Sequence, residues 1–139
     1  MINKKKTIYY WSPFLNKIAT IDAVIDSAKS LSLYSRSFEC SVINAVGEFD
    51  FLKKREKEEY KIINLTNSKL INFLPKFGYL NSRFSFLIIF LKCFLPLKEI
   101  LQKKNPDYLI IHLISSLPLI LLAIFNFKTK FILRISGLP

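Results

Sequence analysis

The sequence predicts an α/β domain: an open parallel sheet with helices on both faces. Three observations carry that prediction. Short runs rich in β-branched and aromatic residues are apolar almost without interruption, as expected of strands covered on both sides rather than one. The intervals between several of these runs are long enough for a helical crossover, which parallel pairing requires. The 139 residues make one domain, large enough to bury a core without disulfides or a metal.

Residues 7–11 (Thr-Ile-Tyr-Tyr-Trp) read as the opening strand. Residues 12–17 form a loop, because Pro13 biases Ser12 away from helix. Thr20 then has the character of an N-cap, with Asp22 favourably placed in the first turn. Ile21, Val24, Ile25, Ala28 and Leu31 follow the three-four spacing of one buried helix face. Residues 40–46 are the second strand, broken by Gly47, and the mixed charges of 51–59 suit a solvated helix or loop. Residues 60–65 are the third strand.

Residues 73–79, with Pro75 and Gly78, predict an irregular connection, and 83–104 predict a helix that Pro96 kinks or ends. That helix is apolar nearly all round. It reads either as a core helix or as an amphipathic segment whose aromatics enter a membrane while Lys76, Arg83 and Lys92 meet anionic headgroups. The last unit is strand 108–112, helix 117–127 and strand 131–135, with Ser115 or Ser116 as cap and Pro118 in the first turn. A rival reading exists for 109–127, which has no formal charge and roughly the length of a bilayer span. His112, Ser115, Ser116, Pro118 and Asn126 weigh against it, and 84–97 is the other apolar segment of such a membrane protein. The favoured order of five strands and three helices is that of a Rossmann-like sheet.

Composition narrows the function classes. A formal charge of +11 implies nucleic acid, an anionic membrane surface or phosphorylated substrates as partners. The aromatics lie mainly inside apolar runs rather than among the lysines, so no nucleic acid is expected. Cys40 and Cys93 read as buried thiols in a reducing compartment. The apolar run after Lys4-Lys5-Lys6 is too short for a secretory signal, which makes the cytoplasm the expected location. One histidine and two distant cysteines supply no metal set, and neither GxGxxG nor GxxxxGK[ST] is present. In a parallel sheet ligands collect at the carboxyl ends of strands, here 12–17, 44–47, 66–67, 112–116 and 136–139. His112, Ser115 and Asp107 do not have triad spacing.

Three stretches resemble the amino-terminal domain of bacterial family 4 glycosyltransferases of the GT-B fold. They are Tyr-Trp-Ser-Pro-Phe-Leu-Asn-Lys-Ile-Ala-Thr (10–20), Asn-Pro-Asp-Tyr-Leu-Ile-Ile-His (105–112) and Leu-Arg-Ile-Ser-Gly-Leu-Pro (133–139). Asn16-Lys17 stand where many relatives have glycines, and Ser136 matches a position where relatives can carry a sugar-contacting histidine, so that role is not carried over. The resemblance implies that 1–139 is the acceptor-side part of a retaining glycosyltransferase of polysaccharide assembly. The donor domain, with its E-x7-E motif, would lie outside this fragment, which alone would be inactive. The implied partners are a nucleotide-sugar, as substrate rather than cofactor, and a lipid-linked or saccharide acceptor, with peripheral association at the inner membrane face. Asn16 and Lys17 are the candidates for the acceptor or diphosphate mouth, and His112, Arg134 and Ser136 for the cleft wall. No catalytic residue is assigned.

Overall fold

The computed structural model describes residues 5–16, 19–35, 37–55, 59–66, 70–112 and 116–135. Five strands form one sheet: β1 (Lys6–Trp11), β2 (Phe38–Asn44), β3 (Lys61–Asn64), β4 (Tyr108–His112) and β5 (Lys130–Arg134). Their order is β3-β2-β1-β4-β5 and every pairing is parallel, so the α/β, Rossmann-like expectation holds. Three helices join them: α1 (Ala19–Tyr34), α2 (Tyr79–Lys104) and α3 (Ser116–Ile124), with short 3₁₀ turns at Asp50–Arg55 and Leu70–Asn72.

Strand alternation divides the core into two layers. Ile8, Tyr10, Cys40 and Val42 pack with Ile21, Val24 and Ala28 of α1 on one face. Tyr9, Trp11, Ile43, Leu109 and Ile111 pack on the other with Ile89, Cys93, Leu97 and Leu101 of α2 and Leu117 and Leu121 of α3. Helices therefore cover both faces. This follows from right-handed crossovers, because the chain steps from β1 to β2 in one direction and from β3 through β4 to β5 in the other. The two free cysteines are buried in opposite layers.

Apart from β4, each strand shifts at one or both ends by one or two residues, and four boundaries carry a lesson. β2 ends at Asn44, not at Val46, because side chains take the next amides: Asn44 Oδ1 accepts from Gly47 and Phe49, and Glu48 accepts from Ala45 and Val46. α1 begins at Ala19, so Thr20 lies in the first turn rather than at the N-cap. α2 starts at Tyr79 and runs 26 residues straight through Pro96. The fully buried Cys93, Leu97 and Leu101 on either side of the proline hold it in register, offsetting the lost hydrogen bond. α3 stops at Ile124, and the rings of Phe125, Phe127 and Phe131 continue as a ladder at centroid spacings of 6.2 and 5.8 Å.

The apolar 109–127 stretch is thus split between a central strand and a nine-residue helix. At a rise of about 1.5 Å per residue, that helix covers roughly half the ~30 Å of a hydrocarbon core. Among the described residues, no helix is long and apolar enough to cross a membrane. Ser116 opens α3, and Ser115 lies outside the described residues.

Candidate functional site at the carboxyl edge

The strand order reverses between β1 and β4, and an open α/β sheet offers its ligand crevice at that switch point. The register that pairs Trp11 with Ile111 brings Ser12 level with His112 at the carboxyl ends of these two strands. β5 lies on the far side of β4 and pairs Arg134 with His112, so both project from the α1-facing side of the sheet. The sequence-predicted pair His112 and Arg134 is therefore brought together. Ser12, which the sequence places in the carboxyl-edge segment 12–17 but not among the chosen site residues, joins them.

The burial of these groups is unusual. Ser12 is fully buried and His112 is 2% exposed, yet neither Ser12 Oγ nor His112 Nε2 has a hydrogen-bond partner among the described residues. Buried polar atoms are seldom left without a partner. Ser32 Oγ and Thr129 Oγ1, away from this edge, are the other such atoms among the described residues, so it is the pairing of two at the switch point that singles out this place. Tyr10 lies beside the imidazole, with ring centroids 6.2 Å apart, and shares a hydrogen bond of 3.1 Å with Ser27 of α1. Burial first, and then the Arg134 charge, push the His112 pKa down to about 4. The imidazole is consequently neutral near pH 7, with one ring nitrogen donating and the other accepting. A neutral imidazole, a hydroxyl and an exposed guanidinium suit recognition of hydroxyls beside an anionic group. A histidine titrating that low is a poor proton carrier at neutral pH.

The neighbouring turn after β2 is built differently. Asn44 Nδ2 donates to Asp50 Oδ1 (2.8 Å) and Asn64 Oδ1 (2.7 Å), while its Oδ1 accepts from two amides. Glu48, 4% exposed, accepts from the Ala45 and Val46 amides at 2.9 and 2.7 Å. Burial outweighs these bonds and raises its pKa to about 7, with Asp50 adding to the rise. Gly47 has φ of 100°, a conformation open to glycine at little cost. Cys93 Sγ donates to Ala45 O at 3.6 Å, and burial followed by the Glu48 charge pushes its thiol up to about 12, which makes it inert.

Of the remaining predicted residues, Asn16 is exposed at the same edge, but its amide donates to Lys76 O at 3.4 Å and ties the first loop to the approach to α2. Lys17 and Ser136 lie outside the described residues. Asp107, near His112 in sequence, sits at the opposite edge. Its carboxylate accepts from Thr7 N (2.7 Å) and Thr7 Oγ1 (3.2 Å), and its carbonyl accepts from Lys130 N, which joins β4 to both neighbours. Sequence reasoning placed Ser12 in the 12–17 carboxyl-edge segment without choosing it as a site residue, and it missed Glu48. Ser12 directly follows the first strand, which was a usable signal, whereas nothing local marks Glu48 as buried. No protein-family model matches the sequence, and no curated protein matches it.

Proposed function

We propose that this chain is the acceptor-binding part of a retaining glycosyltransferase. The intact enzyme would move a sugar from a nucleotide-sugar to a lipid-linked or polysaccharide acceptor. The observation that carries this reading is the pair of buried, unpartnered polar atoms, Ser12 Oγ and His112 Nε2, level with each other at the switch point and beside Arg134. Such a set reads hydroxyl groups through neutral hydrogen bonds and a neighbouring phosphate through the guanidinium. The carbohydrate reading itself rests on the resemblance of 10–20, 105–112 and 133–139 to GT-B enzymes.

Saturation-transfer NMR on the chain tests it, with short-chain prenyl diphosphate saccharides and soluble oligosaccharides as probes. Saccharide protons should receive saturation from the wild-type chain. His112→Gln should weaken that contact, and Arg134→Ala should weaken diphosphate-bearing probes by about tenfold, the size of one charge-assisted hydrogen bond. Absence of contact with every saccharide probe would refute the proposal.

A further inference from the structure

Core packing leaves one large feature of the fold unexplained. α2 carries a second apolar stripe opposite its buried one: Leu80, Phe84, Leu87, Leu91 and Leu95, at three-four spacing, are each more than half exposed. Just ahead of the helix, Phe73 and Phe77 are 80% and 81% exposed. Beside the stripe, α2 and α3 enclose a groove of about 610 Å³ lined by Tyr79, Arg83, Leu87, Phe90, Ser116 and Ile120. Beyond the groove, Ile124 of α3 is 61% exposed. A continuous apolar face of this kind is what a partner or a lipid surface covers.

Charge selects the occupant. Between Tyr79 and Lys98, α2 carries Arg83, Lys92 and Lys98 and no carboxylate. Arg83 stacks over the Tyr79 ring at 5.0 Å and Lys98 over the Phe125 ring at 4.2 Å, which anchors both cations at the margins of the apolar face. A second copy placed here would bring one +11 chain against another, with no acid on this stretch of α2 to pair the cations. A bilayer carrying anionic lipid meets both requirements: acyl chains for the stripe and headgroup charge for the cations.

The orientation follows from the inner stripe. Ser85, Ile89, Cys93, Leu97 and Leu101 are buried against the sheet, so α2 cannot enter a bilayer end-on without leaving the core. We infer that α2 and α3 form a monotopic docking face, with α2 lying in the plane of an anionic bilayer and its outer stripe among the acyl chains. α2 runs antiparallel to the strands it connects, so its amino-terminal half, with Phe77, Leu80 and Phe84, lies toward the carboxyl edge. Ser12 and His112 therefore stand at the end of the molecule where the docking face begins. The inference does not rest on the sugar-transfer reading, because lipid binding needs no saccharide.

Vesicle flotation separates the outcomes. The wild-type chain should float with phosphatidylcholine–phosphatidylglycerol vesicles at low salt, bind less at high salt, and bind weakly to phosphatidylcholine alone. The double variant Phe84→Ser/Leu91→Ser changes only exposed positions and should keep its far-UV circular dichroism while losing at least about tenfold in partitioning. Arg83→Glu/Lys92→Glu should abolish the preference for anionic vesicles. Three results would overturn the inference. One is a wild-type chain that stays in the aqueous fraction. Another is unchanged flotation of the serine variant. The third is a wild-type dimer that the serine variant converts to monomer, which would make a second copy the occupant. None of the three bears on saccharide contact at Ser12 and His112.

Discussion

Two groups of buried polar side chains lie at the carboxyl edge of the same sheet, one in the turn after β2 and one at the ends of β1 and β4, and they are satisfied in opposite ways. After β2, the side-chain polar atoms of Asn44 and both carboxylate oxygens of Glu48 have partners in the turn or, for one Asn44 bond, on the adjoining β3. After β1 and β4, Ser12 Oγ and His112 Nε2 are equally buried and have none among the described residues. The first turn uses its polar side chains to end a strand and brace the edge. The second group, Ser12 and His112, leaves its polar atoms unengaged by the described residues. The contrast shows that burial alone does not identify a site. What distinguishes Ser12 and His112 is unused hydrogen-bonding capacity on two side chains brought level at the switch point of the sheet.

Breaking the satisfied turn should have the largest effect. Asn44→Ala strips acceptors from the buried amides of Gly47 and Phe49 and donors from Asp50 and Asn64. By the usual cost of orphaned buried groups, it should destabilise the chain by about 4 kcal/mol in urea unfolding. A loss below about 1 kcal/mol would mean that the turn does not depend on this side chain.

Titration sharpens the comparison, because Glu48 and His112 respond to pH with opposite sign. Glu48 has a folded pKa raised to about 7 from 4.5, so its contribution is present below pH 4.5 and is lost as pH rises through 7. His112 has a folded pKa lowered to about 4 from 6.5, so its contribution is present above pH 6.5 and is lost as pH falls through 4. Each amounts to about 3 kcal/mol at 1.36 kcal/mol per pKa unit. The two slopes should nearly cancel between pH 4.5 and 6.5 in the wild type. Glu48→Gln should leave stability rising with pH across that window, and His112→Gln should leave it falling. Equal slopes in both variants would mean that these groups do not govern the pH response.

The smallest effect belongs to Ser12. Ser12→Ala removes a buried hydroxyl that the described residues do not engage, so thermal unfolding should change by less than about 1 kcal/mol, and in either direction. Saccharide contact should weaken in the same variant. Stability loss of the size expected for Asn44→Ala would place Ser12 among the structural polar groups and remove it from the site.

The fold was legible in the residues to a degree that follows from strand chemistry. Nearly all-apolar runs such as 108–112 are best satisfied inside a sheet covered on both sides, and β4 occupies those five positions. The features not legible from the sequence depend on distant partners. β2 stops at Asn44 because its side chain and that of Glu48 intercept the next amides, which no period-two pattern reveals. Pro96 does not end α2, because Cys93, Leu97 and Leu101 are buried against the sheet. His112 and Arg134 were selected for their positions at strand ends. Asp107, five residues before His112, is a brace at the other edge because a strand of this length separates the two.

The sequence by itself determined the class of fold, the five strands and the three helices, and with the strand order expected of them it pointed to the carboxyl edge as the place to look for a ligand. These follow from hydrophobic period and connection length, which are local properties. Only the tertiary structure decided that Ser12 stands level with His112, that Glu48 is buried in its own turn, and that α2 turns a second apolar stripe away from the core. Each depends on register or packing between segments far apart in the chain, and no local pattern encodes which side of a helix the sheet will cover.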